Sequence, residues 1–531
     1  MFNCNEMNGN NIGKAKKTKY TLLLLTLTLL QLSCNEAFPI CLNNLRLKKV
    51  SLSVSMKEHL EIADETYRAN LQIAEFANKS SRRNFAPAME AIHLLRSLEH
   101  PDTVGYNSVL KALSRTSSPY NKDAVIQAVV LLEEMESLNR EQSDSKDEWY
   151  IRLSENSLDD EEVSMGAPRV RIKPNCRTYS TVMDVFARQN NPSSAERAHE
   201  LLEKLKDKYE ETGDIAYLPS TITYNTVING WAKAGAGERG AFICENLLSE
   251  MGDLADVISF NNVLHAWARS DVPDAGERAE RILRSMNTVR PNSRTYNTVI
   301  HAWSRSTADD ATRHAHSLLR EMDELAKDEP SMSPDFFSYS SVINALALAK
   351  SEPLKAHSSF LLIQRMNKLA KENQRLRPNL IVYNTALNAC ATSCPIQVQN
   401  KVEEDGRGER LPSLPLIVRT LYDQLTQDIH LTPDHVTYGT VLKAIANLFL
   451  DEPDQVDFGK RVFRSACASG QVSVGVVHQL RQAVPSYVFR ELVPEACISS
   501  DETIVNKFPE QWVCNLREST RQRKIRSDGV K

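Results

Sequence analysis

The segment 223–233, reading Thr-Tyr-Asn-Thr-Val-Ile-Asn-Gly-Trp-Ala-Lys, returns almost letter for letter at 295–305 and with small changes at 259–269. Looser copies begin at Gly105, Thr178, Ser338, Val382 and Thr437, which makes eight in all. Repetition of this kind constrains the fold more than composition does. Each copy must be one structural unit that stacks on the next.

Two helical patterns lie in every copy. In the first, Tyr224, Val227, Ile228 and Trp231 occupy i, i+3, i+4 and i+7, one face of an α-helix. The second runs from a small residue to a terminal Met or its equivalent, as in Cys244/Leu247/Leu248/Met251 and Ala315/Leu318/Leu319/Met322. Ala91/Leu94/Leu95/Leu98 fits it as well, so a degenerate repeat is expected over 57–100. Proline stands five residues before the aromatic at Pro101, Pro174, Pro219, Pro291, Pro334, Pro378 and Pro433, and ends the preceding helix. Only the fourth copy has Ala255 there.

A helical hairpin of this size cannot bury both stripes alone, and stacked neighbours can. The expected fold is all-α: an α-solenoid superhelix of stacked helix-turn-helix repeats spanning 101–470. The period is 36 from Tyr224 to Phe260 and again from Phe260 to Tyr296. Elsewhere it is longer, and the excess falls in polar insertions, chiefly 139–171 and 392–415. The first insertion is acidic around 159–162 and reads as disordered. Beyond 470 the pattern fades into expected capping helices over 471–516, with a small docked turn near Trp512 and a basic flexible tail, 517–531.

A net charge of −4 gives no global basic excess, so any nucleic-acid contact must come from a local stripe. The ten cysteines follow no zinc or disulfide spacing and read as free thiols. No metal or paired-carboxylate constellation marks an enzyme, and no cofactor is expected.

The N-terminus reads as a targeting segment, 1–56. Lys14, Lys16, Lys17 and Lys19 precede an apolar run, 20–32, too short to span a bilayer. From 37 to 57 there are Arg46, Lys48, Lys49 and Lys57, three serines (Ser51, Ser53, Ser55) and no acid, the makeup of an organelle transit peptide. Signal followed by transit segment resembles the bipartite presequence of plastid proteins in algae with secondary plastids, such as diatoms. Ala37–Phe38 matches the Ala–Phe cleavage core of that family. The resemblance implies a plastid location; a mitochondrial or secreted protein is the alternative.

A period near 35, Pro–Asp or Pro–Asn at the boundary, and Thr-Tyr-Asn-Thr opening the first helix resemble pentatricopeptide repeat proteins. The residue after each aromatic is Asn107, Ser180, Asn225, Asn261, Asn297, Ser340, Asn384 or Gly439. Helix capping is one reading of these polar residues. Base recognition is the other, since an amide can match a base edge and a hydroxyl leaves room for a purine. The resemblance implies a second reader after the boundary proline: Asn175, Ser220, Asp256, Asn292, Asp335, Asn379 and Asp434. It implies uridine for Asn225/Asp256, Asn297/Asp335 and Asn384/Asp434. It implies a pyrimidine for Asn107/Asn175 and Asn261/Asn292, and adenosine for Ser340/Asn379. Ser180/Ser220 stays ambiguous and Gly439 departs from the pattern. The implied site is single-stranded RNA of the form 5′-Y-N-U-Y-U-A-U.

Two residues before each aromatic stand Val104, Arg177, Ile222, Ile258, Arg294, Phe337, Ile381 and Val436, suited to flanking a base or to packing between repeats. Nine residues past it stand Arg115, Arg188, Lys233, Arg269 and Arg305, a stripe suited to phosphates or to solvent. Trp231, Trp267 and Trp303 lie on the apolar stripe and read as core. The function expected is RNA binding by occupancy in organellar RNA metabolism. A protein–protein scaffold using the same groove is the rival.

Overall fold

The computed structural model describes residues 54–155, 172–394, 412–449, 452–497 and 508–516. Among the described residues nine helical hairpins follow one another: α1 (Val54–Lys79) with α2 (Ala86–Ser97), α3 (Thr103–Thr116) with α4 (Asp123–Glu155), and α5 (Cys176–Ala187) with α6 (Pro192–Thr212). Next come α7 (Thr221–Lys233) with α8 (Gly237–Met251), α9 (Val257–Ala268) with α10 (Ala275–Ser285), and α11 (Ser293–Arg305) with α12 (Ala311–Asp328). The last three are α13 (Phe336–Leu348) with α14 (Lys355–Leu369), α15 (Leu380–Ala391) with α16 (Leu414–Gln427), and α17 (His435–Leu448) with α18 (Glu452–Ala468). Helices α19 (Val474–Ala483) and α20 (Ser486–Leu492) and the short α21 (Glu510–Val513) close the stack. No strand occurs among the described residues; two isolated bridges, Ser81–Asn84 and Ser118–Asn121, tighten the first two hairpin turns.

The first helix of each hairpin packs on the first helix of the next, without a break from α1 to α19. Each second helix sits against its own first helix and the following one. The result is an α-solenoid with a continuous layer of first helices and a second layer riding in its furrows. The insertions leave this row intact, because α3 packs on α5 and α15 on α17.

The core is the stripe the periodicity picked out. Val227, Ile228, Val263, Leu264, Val299 and Ile300 are all sealed from solvent. The three tryptophans are buried, and two of them also tie hairpins together. Trp267 Nε1 donates to Glu245 Oε2 at 3.1 Å, and Trp303 Nε1 to Glu280 Oε2 at 2.9 Å. Trp231 finds His199 at the equivalent place, edge-on at 6.4 Å, and its indole N–H has no acceptor. Gly276 permits the close approach of α10 and α11: a Cβ there would meet Trp303 ring carbons at 2.5 Å.

Two boundaries differ from expectation. Helix α1 begins at Val54, inside the span read as presequence. Helix α4 continues to Glu155, well into the insertion read as disordered, while 156–171 lies outside the described residues. The tail 517–531 and most of the presequence also lie outside them. The C-terminal turn docks as expected: Val472 N donates to Trp512 O at 2.8 Å, and the Trp512 ring meets Phe463 edge-on. None of the seven cysteines among the described residues is in a disulfide.

Candidate nucleic-acid interface

Every proposed second reader is a helix N-cap. Asn175, Ser220, Asp256, Asn292, Asp335, Asn379 and Asp434 each have extended backbone, and each accepts a hydrogen bond from the backbone N–H three residues on. At six of the seven a boundary proline holds the chain out of the helix until this residue, whose oxygen then satisfies an orphan amide; Asp256 follows Ala255 and caps its helix without one. Six of the seven complete a capping box with the Thr or Ser that precedes the aromatic. Capping is therefore the task of the second reader. The capping reading of the residue after the aromatic is corrected, since Asn225 lies five residues in from its cap, Ser220.

The two readers of one repeat come together across the boundary. Asn225 Nδ2 donates to Asp256 Oδ1 at 3.1 Å, Asn297 Nδ2 to Asp335 Oδ1 at 3.0 Å, and Asn384 Nδ2 to Asp434 Oδ1 at 3.3 Å. These are the three Asn/Asp pairs. Elsewhere a hydroxyl mediates. Thr178 Oγ1 donates to Asn107 Oδ1 at 2.8 Å and lies 3.1 Å from the cap oxygen of Asn175. Thr223 Oγ1 stands 2.8 Å from Ser180 Oγ and 3.0 Å from Ser220 Oγ. Ser340 Oγ instead donates to the Phe337 carbonyl at 3.2 Å. No direct bond joins Ser340 to Asn379 or Asn261 to Asn292.

In an Asn/Asp pair, one amide hydrogen and carboxylate Oδ1 are engaged. The second Nδ2 hydrogen and Oδ2 have no partner in these bonds, which leaves one donor and one acceptor on each pair. Hydrogen bonds from Ser259 and Asn225 hold the Asp256 carboxyl below its usual range against the opposing effect of burial, so it is an acceptor at neutral pH. Oδ1 of Asn225, Asn261 and Asn384 is buried with no partner.

The flanking row lies in the open. Exposure runs from 42% at Val104 to 72% at Ile381, with Ile222, Ile258, Phe337 and Val436 between. Arg177 and Arg294, at the same register, are exposed too. Eight first helices thus each present an apolar or guanidinium side chain, in seven of them beside a polar residue at the proposed reader position and in the eighth beside Gly439. Packing between repeats is not what these residues do.

The basic stripe is divided. Arg115 Nη1 donates to the Ala77 carbonyl at 2.7 Å and to Asn78 Oδ1, ending helix α1. Arg188 pairs with Asp184 at 2.7 Å, and Arg305 with Asp271. Lys233 and Arg269 are exposed and carry no carboxylate partner among the described residues. Partial burial and the charge of Arg188 lower the Lys233 pKa.

Sequence reasoning missed one row. Four residues past each first reader stand Lys111, Asp184, Asn229, His265, His301, Asn344, Asn388 and Lys443. Their register was visible, since i+4 continues the reader's face toward the basic position. Burial first, then Arg269, His301, Lys233 and Arg294, push His265 down to about 4. Burial, Arg305 and Arg269 lower His301 as well. The centre of the groove floor is thus electropositive, with two neutral imidazoles inside it.

Among the described residues no group of His, Cys, Asp and Glu could hold a metal ion, and no helix is long and apolar enough to cross a membrane. Stacked two-helix units with paired polar residues at each boundary define a modular α-solenoid. The family model for the PPR repeat matches residues 177–207 and 222–251, the hairpins α5/α6 and α7/α8. Over these two hairpins the chain carries repeats of the pentatricopeptide type. No curated protein matches it. Among solved structures, the pentatricopeptide repeat protein PPR10 from maize is similar at 17% identity and a TM-score of 0.40, over 84% of this chain and 57% of that one. This chain therefore spans little more than half of that structure. PPR10 in complex with an 18-nt psaJ RNA element is similar at 15% identity and a TM-score of 0.21, over 99% and 97% of the two chains.

Proposed function

We propose that the protein binds single-stranded RNA in a sequence-selective way along the row of first helices and acts by occupancy, in RNA stability, processing or translation. The observation that carries this is the direct amide–carboxylate contact in Asn225/Asp256, Asn297/Asp335 and Asn384/Asp434, repeated at one register. A peptide groove has no use for that regularity. The donor and acceptor left on each pair complement the O4 acceptor and N3–H donor of uracil, and the exposed row from Val104 to Val436 supplies faces between which a base can lie. The site reads 5′-Y-N-U-Y-U-A-U.

Selection of RNA from a random pool by the chain from residue 54 onward tests this. Enrichment of that pattern is expected, with Asn225→Ser moving the preference at the third base away from U. No enrichment, or enrichment that ignores Asn225→Ser, removes base reading and leaves the scaffold reading. The organelle is proposed to be a plastid, on the bipartite layout of residues 1–56. A fluorescent fusion of residues 1–60 checks it, and mitochondrial or secreted signal would refute it.

A further inference from the structure

The degenerate first hairpin carries a pair that repeat alignment does not reveal. Asn70 Nδ2, on α1, lies 3.0 Å from both Oδ1 and Oδ2 of Asp102. Asp102 follows a boundary proline, Pro101, and is the N-cap of α3, accepting from Gly105 N at 2.7 Å. This is the amide-to-cap contact of Asn225 with Asp256, one hairpin earlier than the recognisable array begins, with the difference that the Asn70 amide straddles both carboxylate oxygens where Asn225 meets Oδ1 alone. Ala69 stands where the aromatic would be, buried, and 106 − 69 places it 37 residues before Tyr106. That is within one residue of the tightest period in the chain. Helix α1 packs on α3 as each first helix packs on the next.

Two further details match. Asn70 Oδ1 is buried without a partner, as are the same atoms of Asn225 and Asn384. A buried orphan acceptor is costly and needs a reason. Gly105 occupies the place held in six of the seven later repeats by the capping-box Thr or Ser. A Cβ there would come 2.7 Å from Asn70 Oδ1, so the glycine makes room for the amide.

We propose that the first hairpin is itself a base-reading unit, in which Asn70 and Asp102 bind a uracil 5′ of the site already described. The footprint becomes 5′-U-Y-N-U-Y-U-A-U. This rests on the RNA-reading function proposed above, and the test separates the two.

Full-length protein is titrated with the synthetic RNAs UCAUCUAU and ACAUCUAU by fluorescence anisotropy. The U-leading RNA is expected to bind about tenfold tighter, the usual effect of one mismatched position. The double variant Asn70→Ser, Asp102→Asn should reverse that preference toward A, after the Ser340/Asn379 pair. Asn caps a helix as well as Asp does, so the thermal midpoint should not move, and a melt verifies that the variant is folded. Equal affinity for both RNAs in the wild type, while Asn225→Ser still alters preference at the U of the third reader, would overturn the proposal and leave the function standing. Indifference at both positions would overturn both.

Discussion

At the scale of single residues, the divided roles of one short segment explain its repetition. Tyr224, Val227, Ile228 and Trp231 are buried and hold hairpins together, while Asn225 reaches across the boundary to Asp256. Burial at these positions was legible in the sequence, because a helix has only one face to hide and the 3.6-residue period marks it. The hydrogen-bond partners were not legible, as they come from the neighbouring hairpin. Truncating Trp267 to Ala should cost about 3–5 kcal/mol by cavity formation. Trp231 offers the opposite experiment. Its indole N–H lacks the acceptor that Glu245 and Glu280 give Trp267 and Trp303, because His199 stands in that place. His199→Glu should therefore stabilise the fold by about 1 kcal/mol, the net worth of one hydrogen bond. Chemical denaturation measures both, and an unchanged or lowered midpoint for His199→Glu would refute the account of Trp231.

At the scale of the helix, a single side chain starts the element and faces the groove. Asp256 caps α9 and orients Asn225 with the same oxygen. Asp256→Ala should lose about 1 kcal/mol of stability with the cap. Asp256→Asn should keep the stability and relax U to either pyrimidine at that base, after the Asn/Asn repeats. A melt and a binding titration on the two variants distinguish the roles; equal stability loss in both would show that the carboxylate charge, and not the cap, matters. The basic stripe teaches a different lesson about elements. Asp184, one turn before Arg188, could have been read as its partner from i, i+4 spacing. Asp271 reaches Arg305 from the preceding hairpin, and the Ala77 carbonyl reaches Arg115 because α1 ends beside it. Those two pairings depend on how hairpins stack.

At the scale of the molecule, the charge left unpaired along the groove sets its response to salt. Lys233, Arg269, Arg177 and Arg294 are exposed and have no carboxylate partner among the described residues, so log K against log salt should fall with a slope of about −2.8, −0.7 for each of four cations. A flat response would show that the groove does not bind phosphate. The buried histidines set the response to pH. His265, His301, His316 and His357 are all lowered by burial, and His265 lies at about 4. Unfolded, they titrate near 6.5, so below that pH the unfolded chain binds more protons than the folded one. Stability present at neutral pH is lost as pH falls from about 6.5 toward 4. Thermal midpoints should fall steadily from pH 7.5 to 5, and a rise on acidification would contradict the burial of these rings.

The repeat alone determined the architecture, since a stripe too small to be buried by one hairpin forces stacking. It also set the register of the proposed readers, of the flanking row and of the core, because each follows from helical period, while the exposure of the flanking row came from the structure. Tertiary structure decided what register cannot express. It showed that the row of first helices runs unbroken past the insertions, that the second reader is first of all a cap, and that three of five basic residues are already engaged. It also brought Asn70 against Asp102 in a hairpin whose aromatic had been replaced by Ala69. A pattern search follows the apolar stripe, and there that stripe is eroded. The pair survives because its geometry depends on how α1 packs against the cap of α3.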